Sequence, residues 1–277
     1  MIVQQLHTEL FLRETQTDGH APIAFVCNDL NIYYCKYLNS LKKEEITCLA
    51  YEVVAHKLLK ALNILTPEIA AVTIAENTLN KKEIKHNKRL RAGDVCFGSK
   101  EVQNATEVQS LAQVKTKSEF NKILNPTDII KIAIFDLWVN NSDRGRNFGE
   151  GFNYNLLLEP QENKYKLLAF DNAFIFGGLN QIGIFKPSPC IDVSNKIHLS
   201  PYYKSIVKHI SNEQFTQVVN NFIPLLRKNY DTPISNIIKE VSVYWELTPN
   251  LDKRMLAFIS SKNRIDEIEK IIIQSAK

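Results

Sequence analysis

The sequence predicts an α+β chain in two lobes: a small β-rich N-terminal lobe with one main helix, then a larger, mostly helical C-terminal lobe. Three observations carry this. Up to residue 43, short apolar and aromatic runs alternate with turn residues, as strands do. One long helical pattern follows at about residues 43–62, and NILTPEIAAVTI (63–74) closes it with a turn and a buried strand, Pro67 ending the helical register. Beyond that, helical patterns prevail, broken by a single hairpin. The boundary is expected near Asn77, giving lobes of residues 1–77 and 78–277.

In order, the turn TDGHAP (17–22) leads into a strand at 23–26, and NIYYCKYL (31–38) reads as a second strand carrying Lys36. A lysine there normally lies on the wet face. The helix KEEITCLAYEVVAHKLLKAL presents Leu49, Val53 and Leu59 as a core stripe, and Glu52 falls on that stripe. A carboxylate in such a place is costly unless a cation meets it. Lys36 is the natural candidate, and the plain alternative is an exposed Lys36 with Glu52 at the helix edge. The run KKEIKHNKRLR (81–91) reads as a solvated basic face. A contact to an acidic partner or RNA is the alternative, without aromatic residues to support it. GDVCFGS (93–99) reads as a buried loop or strand, and residues 107–124 as a weak helix.

The most informative stretch is 128–178. An amphipathic helix with Ile130, Ala133, Ile134, Leu137 and Trp138 on one face is followed by a polar loop bearing Asp143 and Arg144. A hairpin of 153–158 and 164–170 comes next, and Asp171 follows its second strand directly. Asp143, Asn153 or Asn155, and Asp171 are thus expected at loop or strand ends facing one cleft. Two carboxylates and an amide are hard oxygen donors suited to Mg²⁺ with a phosphate completing its shell. An Asp, an Asn after it and a second Asp past a hairpin are the recurring parts of a kinase. The plain alternative is a turn-rich hairpin in which Asp and Asn only form turns. After it, 179–199 is loop-like, and helices are expected at 202–209, 212–226, 233–245 and 251–274.

Composition is that of an ordinary soluble chain: 277 residues, 44% hydrophobic, 23% charged, net charge +4. That charge falls short of a nucleic-acid footprint, and no run is long enough to cross a membrane. The N-terminus lacks a signal-peptide pattern, and five cysteines without a C-x-x-C pair suggest buried thiols in a reducing cytoplasm. There is no P-loop, H-E-x-x-H, G-x-S-x-G or G-x-G-x-x-G pattern. Phosphates would be covered by the turn Asp18-Gly19-His20-Ala21-Pro22, through its backbone N–H groups.

With these residues assembled, the chain resembles the HipA-like kinases, a divergent branch of the protein-kinase-like fold, and more closely the stand-alone bacterial HipA-like kinase domain. The likeness spans most of the chain. It rests on the G-x-x-P turn at Gly19, Lys36, the helix pattern Glu52-x-x-Ala55-x-x-Leu58, F-G-S at Phe97, and F-D-x-W-x-x-N-x-D-R at 135–144. The N-x-N-L-L strand from Asn153, F-D-N-A-F from Phe170, and a looser Trp245…Arg264 pattern complete it. The F-D-x-W-x-x-N-x-D-R stretch is the specific part.

The resemblance implies Mg²⁺- and ATP-dependent phosphoryl transfer to a Ser or Thr of a protein substrate. In it, Gly19, His20, Ala21 and Lys36 would bind nucleotide phosphates, Glu52 would anchor Lys36, and Asp143 would orient the acceptor hydroxyl and take its proton. Asp171 and an asparagine would hold the metal, and 172–199 would be the activation or substrate segment. The chain departs from the pattern by inserting residues 145–152 after Arg144. Asn147, Asn153 and Asn155 therefore compete as the metal ligand; Asn155 is favoured for directly preceding Leu156, with Asn153 close behind. Three alternatives stand beside an active protein kinase: a nucleotide-binding pseudokinase with an overstretched loop, an interaction protein that kept only the fold, and a phosphoinositide-kinase-like lipid or small-molecule kinase. Neither membrane nor direct DNA binding is expected.

Overall fold

The computed structural model describes residues 3–15, 21–37, 45–177 and 191–275. Five strands, β1 (Gln4–Glu14), β2 (Ile23–Cys27), β3 (Ile32–Lys36), β4 (Ile69–Thr73) and β5 (Val95–Lys100), close into a barrel in the order β1-β2-β3-β5-β4. The closing pair, β1 with β4, is parallel; the others are antiparallel. Ile23, Phe25, Cys27, Tyr33, Cys35, Val72 and Cys96 form one buried cluster within it. β-Branched and aromatic side chains on alternate positions suit this curved, filled interior. Among the described residues, the four free cysteines are all buried.

The boundary expected near Asn77 cuts through this barrel. β5 lies beyond it in sequence yet pairs with both β3 and β4, so the β-rich part runs to about residue 100. Between β3 and β4 lies α1 (Ile46–Ala61), buried over most of its circumference rather than along one stripe.

α3 (Asp128–Trp138) is the axle of the helical part: every residue except Lys131 is buried. It packs against α5 (Asn212–Leu226) and α8 (Lys262–Gln274), with α4 (Pro201–Val207), α6 (Asp231–Val241) and α7 (Leu251–Ile259) completing the helical set. Each fully buried Ile or Leu of such a helix contributes about 1.5–3 kcal/mol. Trp138 Nε1 donates to Ile259 O at 2.9 Å. Arg264 Nη2 donates to Leu137 O and Trp138 O, at 3.0 and 3.2 Å, a cation on the last carbonyls of α3. The loosely matched Trp245 joins the two parts, its Nε1 donating to Val95 O of β5 at 2.8 Å.

Several expected elements differ. Residues 107–124 are not one helix. β6 (Thr106–Glu107) pairs with β7 (Leu156–Gln161), and only α2 (Lys117–Phe120) is helical, its capping box using Thr116 and Glu119. The order β6-β7-β8, with β8 at Lys164–Ala169, makes the hairpin a three-stranded sheet. The first hairpin strand begins at Leu156 rather than Asn153, because Asn155 takes a left-handed backbone, φ 45°. The last helix is two helices, α7 and α8, interrupted at Ser260 and Ser261, residues that compete with the helix for backbone hydrogen bonds.

Candidate active site

Lys36 ends β3, and its Nζ lies 2.7 Å from Glu52 Oε1 on α1 and 2.7 Å from Asp171 Oδ1 past β8. Lys36 and Glu52 are buried, 8% and 3% exposed. Burial disfavours charge on Lys36, but the Asp171 and Glu52 carboxylates outweigh it and raise its pKa above the ordinary value. Burial also raises Glu52, against the pull of Lys36. The second Glu52 oxygen accepts from Asn172 N at 2.8 Å. One carboxylate thus ties the barrel lysine to the backbone leaving the hairpin.

Opposite stands Asp143, in the loop after α3. Asn155 Nδ2 donates to Asp143 Oδ2 at 2.9 Å and reaches Asp171 O at 3.4 Å. The Asn153 side chain lies near enough to Asp143 to lower its pKa. Burial, then the nearby Asp171 charge, raises the Asp143 pKa, opposed by these amides and Arg144. Asn155 and Asp171 both have left-handed backbones, φ 45° and 53°. Such conformations are uncommon outside glycine and cluster where strand ends are bent to present side chains. Lys36, Glu52, Asp143, Asn155 and Asp171 therefore form one connected group, with Asn153 at its edge.

Beneath it lies a support that the sequence reading did not assign. Arg144 and Asp136 are fully buried and paired, Nη1 to Oδ1 at 2.6 Å. The same guanidinium donates to Phe170 O at 2.6 Å, Asn172 Oδ1 at 2.8 Å and Asn155 O at 3.3 Å. It clamps both strand ends that carry Asn155 and Asp171. Asn141 Oδ1 accepts from Asp143 N at 3.1 Å, while its Nδ2 donates to Asp136 at 3.1 Å. Lys196, 1% exposed, donates to Asn140 Oδ1 at 2.9 Å and Asn141 O at 2.5 Å. Burial lowers its pKa to about 8. Asp136, Asn141 and Arg144 all lie in the F-D-x-W-x-x-N-x-D-R stretch, which was the available signal; nothing local marked Lys196.

The insertion does not pull the loop apart. Gly145 N donates to Asn153 O at 2.6 Å and Asn153 N to Arg146 O at 2.9 Å, with Asn147 bridged to Phe152. Residues 146–153 thus form a small antiparallel loop, closed at its base, that returns the chain to Asp143. Asn147 sits out on it, exposed, its Oδ1 accepting from Gly149 N at 2.8 Å. Asn155, by contrast, bonds Asp143 directly. Gly19 and His20 of the expected phosphate turn lie outside the described residues, as does much of the 172–199 segment. Ala21 is buried, and its carbonyl accepts from Asn87 Nδ2 at 2.5 Å.

Among the described residues no cluster of three or more His, Cys, Asp or Glu could hold a metal. The donor set here is different in kind. Asn155 turns its Nδ2 to the Asp143 carboxylate and to the backbone carbonyl of Asp171, so that its amide oxygen is not used in either bond. One carboxylate and one amide oxygen suit a hard cation that takes its remaining oxygens from phosphate and water.

A model of the HipA-like kinase family matches residues 11–270, nearly the whole chain. The chain belongs to the HipA-like kinase family. Among solved structures it is similar to the Helicobacter pylori proinflammatory kinase CtkA, with 13% identity, TM-score 0.50, and coverage of 96% of this chain and 95% of that one. At that identity the likeness concerns the fold alone. A weaker likeness, TM-score 0.43 at 11% identity, is to the Golgi casein kinase with Mn/ADP bound, covering 99% of this chain and 73% of that one. No curated protein matches the sequence. Among the described residues, no helix is long and apolar enough to cross a membrane.

Proposed function

We propose that this HipA-like kinase transfers phosphate from Mg·ATP to a Ser or Thr hydroxyl of a protein substrate, in the cytoplasm. The observation that carries this reading is Lys36 Nζ, held by Glu52 and Asp171 at 2.7 Å each across from an Asp143 fixed by Asn155. In this reading the chain is a two-lobed protein-kinase-like fold, the barrel with α1 as the upper lobe and the boundary after β5.

Lys36 binds the nucleotide phosphates, and Glu52 keeps its ammonium in place while Asp171 turns to the metal. Asp171 and Asn155 are the metal donors, with Asn153 second. The metal, when bound, neutralises charge that builds on the transferring phosphate. Asp143 accepts a hydrogen bond from the substrate hydroxyl and takes its proton; its raised pKa makes it a better base than an exposed carboxylate. The turn that includes Gly19, His20 and Ala21 covers the phosphates. The closed base of the insertion supports an active enzyme over a pseudokinase, because Asn155 reaches Asp143 despite the added residues.

The test is thermal unfolding with Mg·ATP. A ligand at 100 times its dissociation constant stabilises the folded state by about 2.7 kcal/mol. Wild type should shift and Asp171→Ala should not, and Asp143→Asn should keep nucleotide binding while losing transfer of labelled phosphate. No shift of the wild type over a broad ATP range would end the enzyme reading. A shift without transfer by the wild type would make it a pseudokinase.

A further inference from the structure

The basic run at residues 81–91 is not a loose charged loop. Ile84, Asn87 and Leu90 are buried at a spacing of three, and Lys82, Lys85, Lys88 and Arg91 are exposed at the same spacing. Ile84 and Leu90 belong to the apolar cluster of the barrel. Asn87 Nδ2 donates to Ala21 O at 2.5 Å and to Glu14 Oε1 at 2.8 Å. The Glu14 carboxylate also accepts from the backbone N of Lys85, His86 and Asn87, at 2.7, 3.0 and 2.9 Å. At the far end, Arg91 N donates to Asp94 Oδ2 at 2.8 Å, and Asp94 Oδ1 accepts from the Tyr37 hydroxyl at 3.2 Å.

These tethers fix where the cations stand. Ile23 pairs with Cys35, so Ala21 lies just past the strand position facing Lys36, and Tyr37 is the next residue after Lys36. The row is therefore pinned on both flanks to the end of the barrel that carries Lys36. Among the described residues, none of Lys82, Lys85, Lys88 and Arg91 has an ion-pair partner. Like charges tethered to one end of the barrel repel one another and attract a complementary partner.

We propose that Lys82, Lys85, Lys88 and Arg91 form a docking edge for an acidic segment of the polypeptide substrate, beside the nucleotide end of the cleft. RNA suits the edge less well. No Phe, Tyr or Trp occurs between 75 and 96 to stack a base, His86 alone offering a ring, and the net charge of +4 is low for a nucleic-acid binder. That the docked segment goes on to be phosphorylated rests on the proposed kinase activity; that it docks does not.

The experiment is fluorescence anisotropy with a labelled oligoglutamate peptide containing one serine, on the full chain. Wild type should bind, more weakly as salt rises. The variant Lys82→Gln/Lys85→Gln/Lys88→Gln/Arg91→Gln should bind about tenfold more weakly or worse, while unfolding at the wild-type temperature. If that variant unfolds early, adding the Gln changes singly keeps the test, each expected to weaken binding in part. Absence of wild-type binding, equal binding by the folded variants, or displacement of the peptide by a labelled RNA oligonucleotide at lower concentration would each overturn the proposal. Peptide binding in a chain that shows no ATP-induced thermal shift would leave the docking edge standing and remove the kinase reading.

Discussion

Arg144 and Asp136 form an ion pair with both side chains at zero exposure, 2.6 Å apart, directly under the strand ends that present Asn155 and Asp171. A pair in this position does more for geometry than for net stability, since burying two charges offsets much of their attraction. Removing one partner is another matter. Arg144→Met should cost about 3–5 kcal/mol in chemical denaturation, because it strands a buried carboxylate. The double variant Asp136→Leu/Arg144→Met should lose clearly less stability than the two single changes added together.

Lys36→Met should lower kcat for phosphate transfer by about 10²–10³-fold, the usual effect of removing one well-placed electrostatic donor. Glu52 touches Lys36 and the Asn172 backbone, so it acts through them. Glu52→Gln should therefore slow transfer less than Lys36→Met, and the double variant should be little worse than Lys36→Met alone. Steady-state kinetics on the three variants checks this.

Gly145 and Gly149 offer a matched comparison. Both have φ +91°, but a Cβ on Gly145 would sit 2.2 Å from Ile197 N, while one on Gly149 would meet nothing within 4 Å. Gly149→Ala should cost about 1 kcal/mol for its backbone conformation alone. Gly145→Ala should cost more, and should reduce transfer as well, because it pushes the Lys196–Ile197 backbone off the loop bearing Asp143. Melting temperature and activity, measured on both, separate the two effects.

Glu14 should make the barrel sensitive to acid. Burial works against its charge, but the Asn87 backbone and side chain, with the N–H groups of His86 and Lys85, hold its pKa down to about 2 from an ordinary 4.5. A depressed folded pKa gives stability that is present above pH 4.5 and is lost as pH falls toward 2. Glu14→Gln removes that ionisation. The gap in melting temperature between wild type and Glu14→Gln should therefore narrow through that interval and stay constant above it.

Much of this could be read from side-chain types and spacing. Glu52 on a core stripe required a cation, and Lys36 on the neighbouring strand supplied it. The helix–loop–hairpin order put Asp143, Asn155 and Asp171 within reach of one another because rigid elements flank each loop. What could not be read was long-range. β5 joins the barrel across residues 74–94, so no local pattern could show that the barrel continues past Asn77. Residues 107–124 carry helical spacing, but pairing of β6 with β7 takes the start of that run and leaves one short capped turn. Lys196 meets Asn140 from 56 positions away, a contact invisible to periodicity. The break between α7 and α8 was within reach, since two adjacent serines marked it.

The closed base of the 146–153 loop separates two things that a kinase loop usually has to reconcile. Its tip, with Phe148 58% exposed and the Arg146 guanidinium 4.9 Å from the ring centre, can change in length or sequence while the Gly145–Asn153 bond keeps the loop closed at Asp143. The tip is in that sense a graft point: a peptide tag or reporter could be spliced in at Gly149 with the fold around it left as it stands.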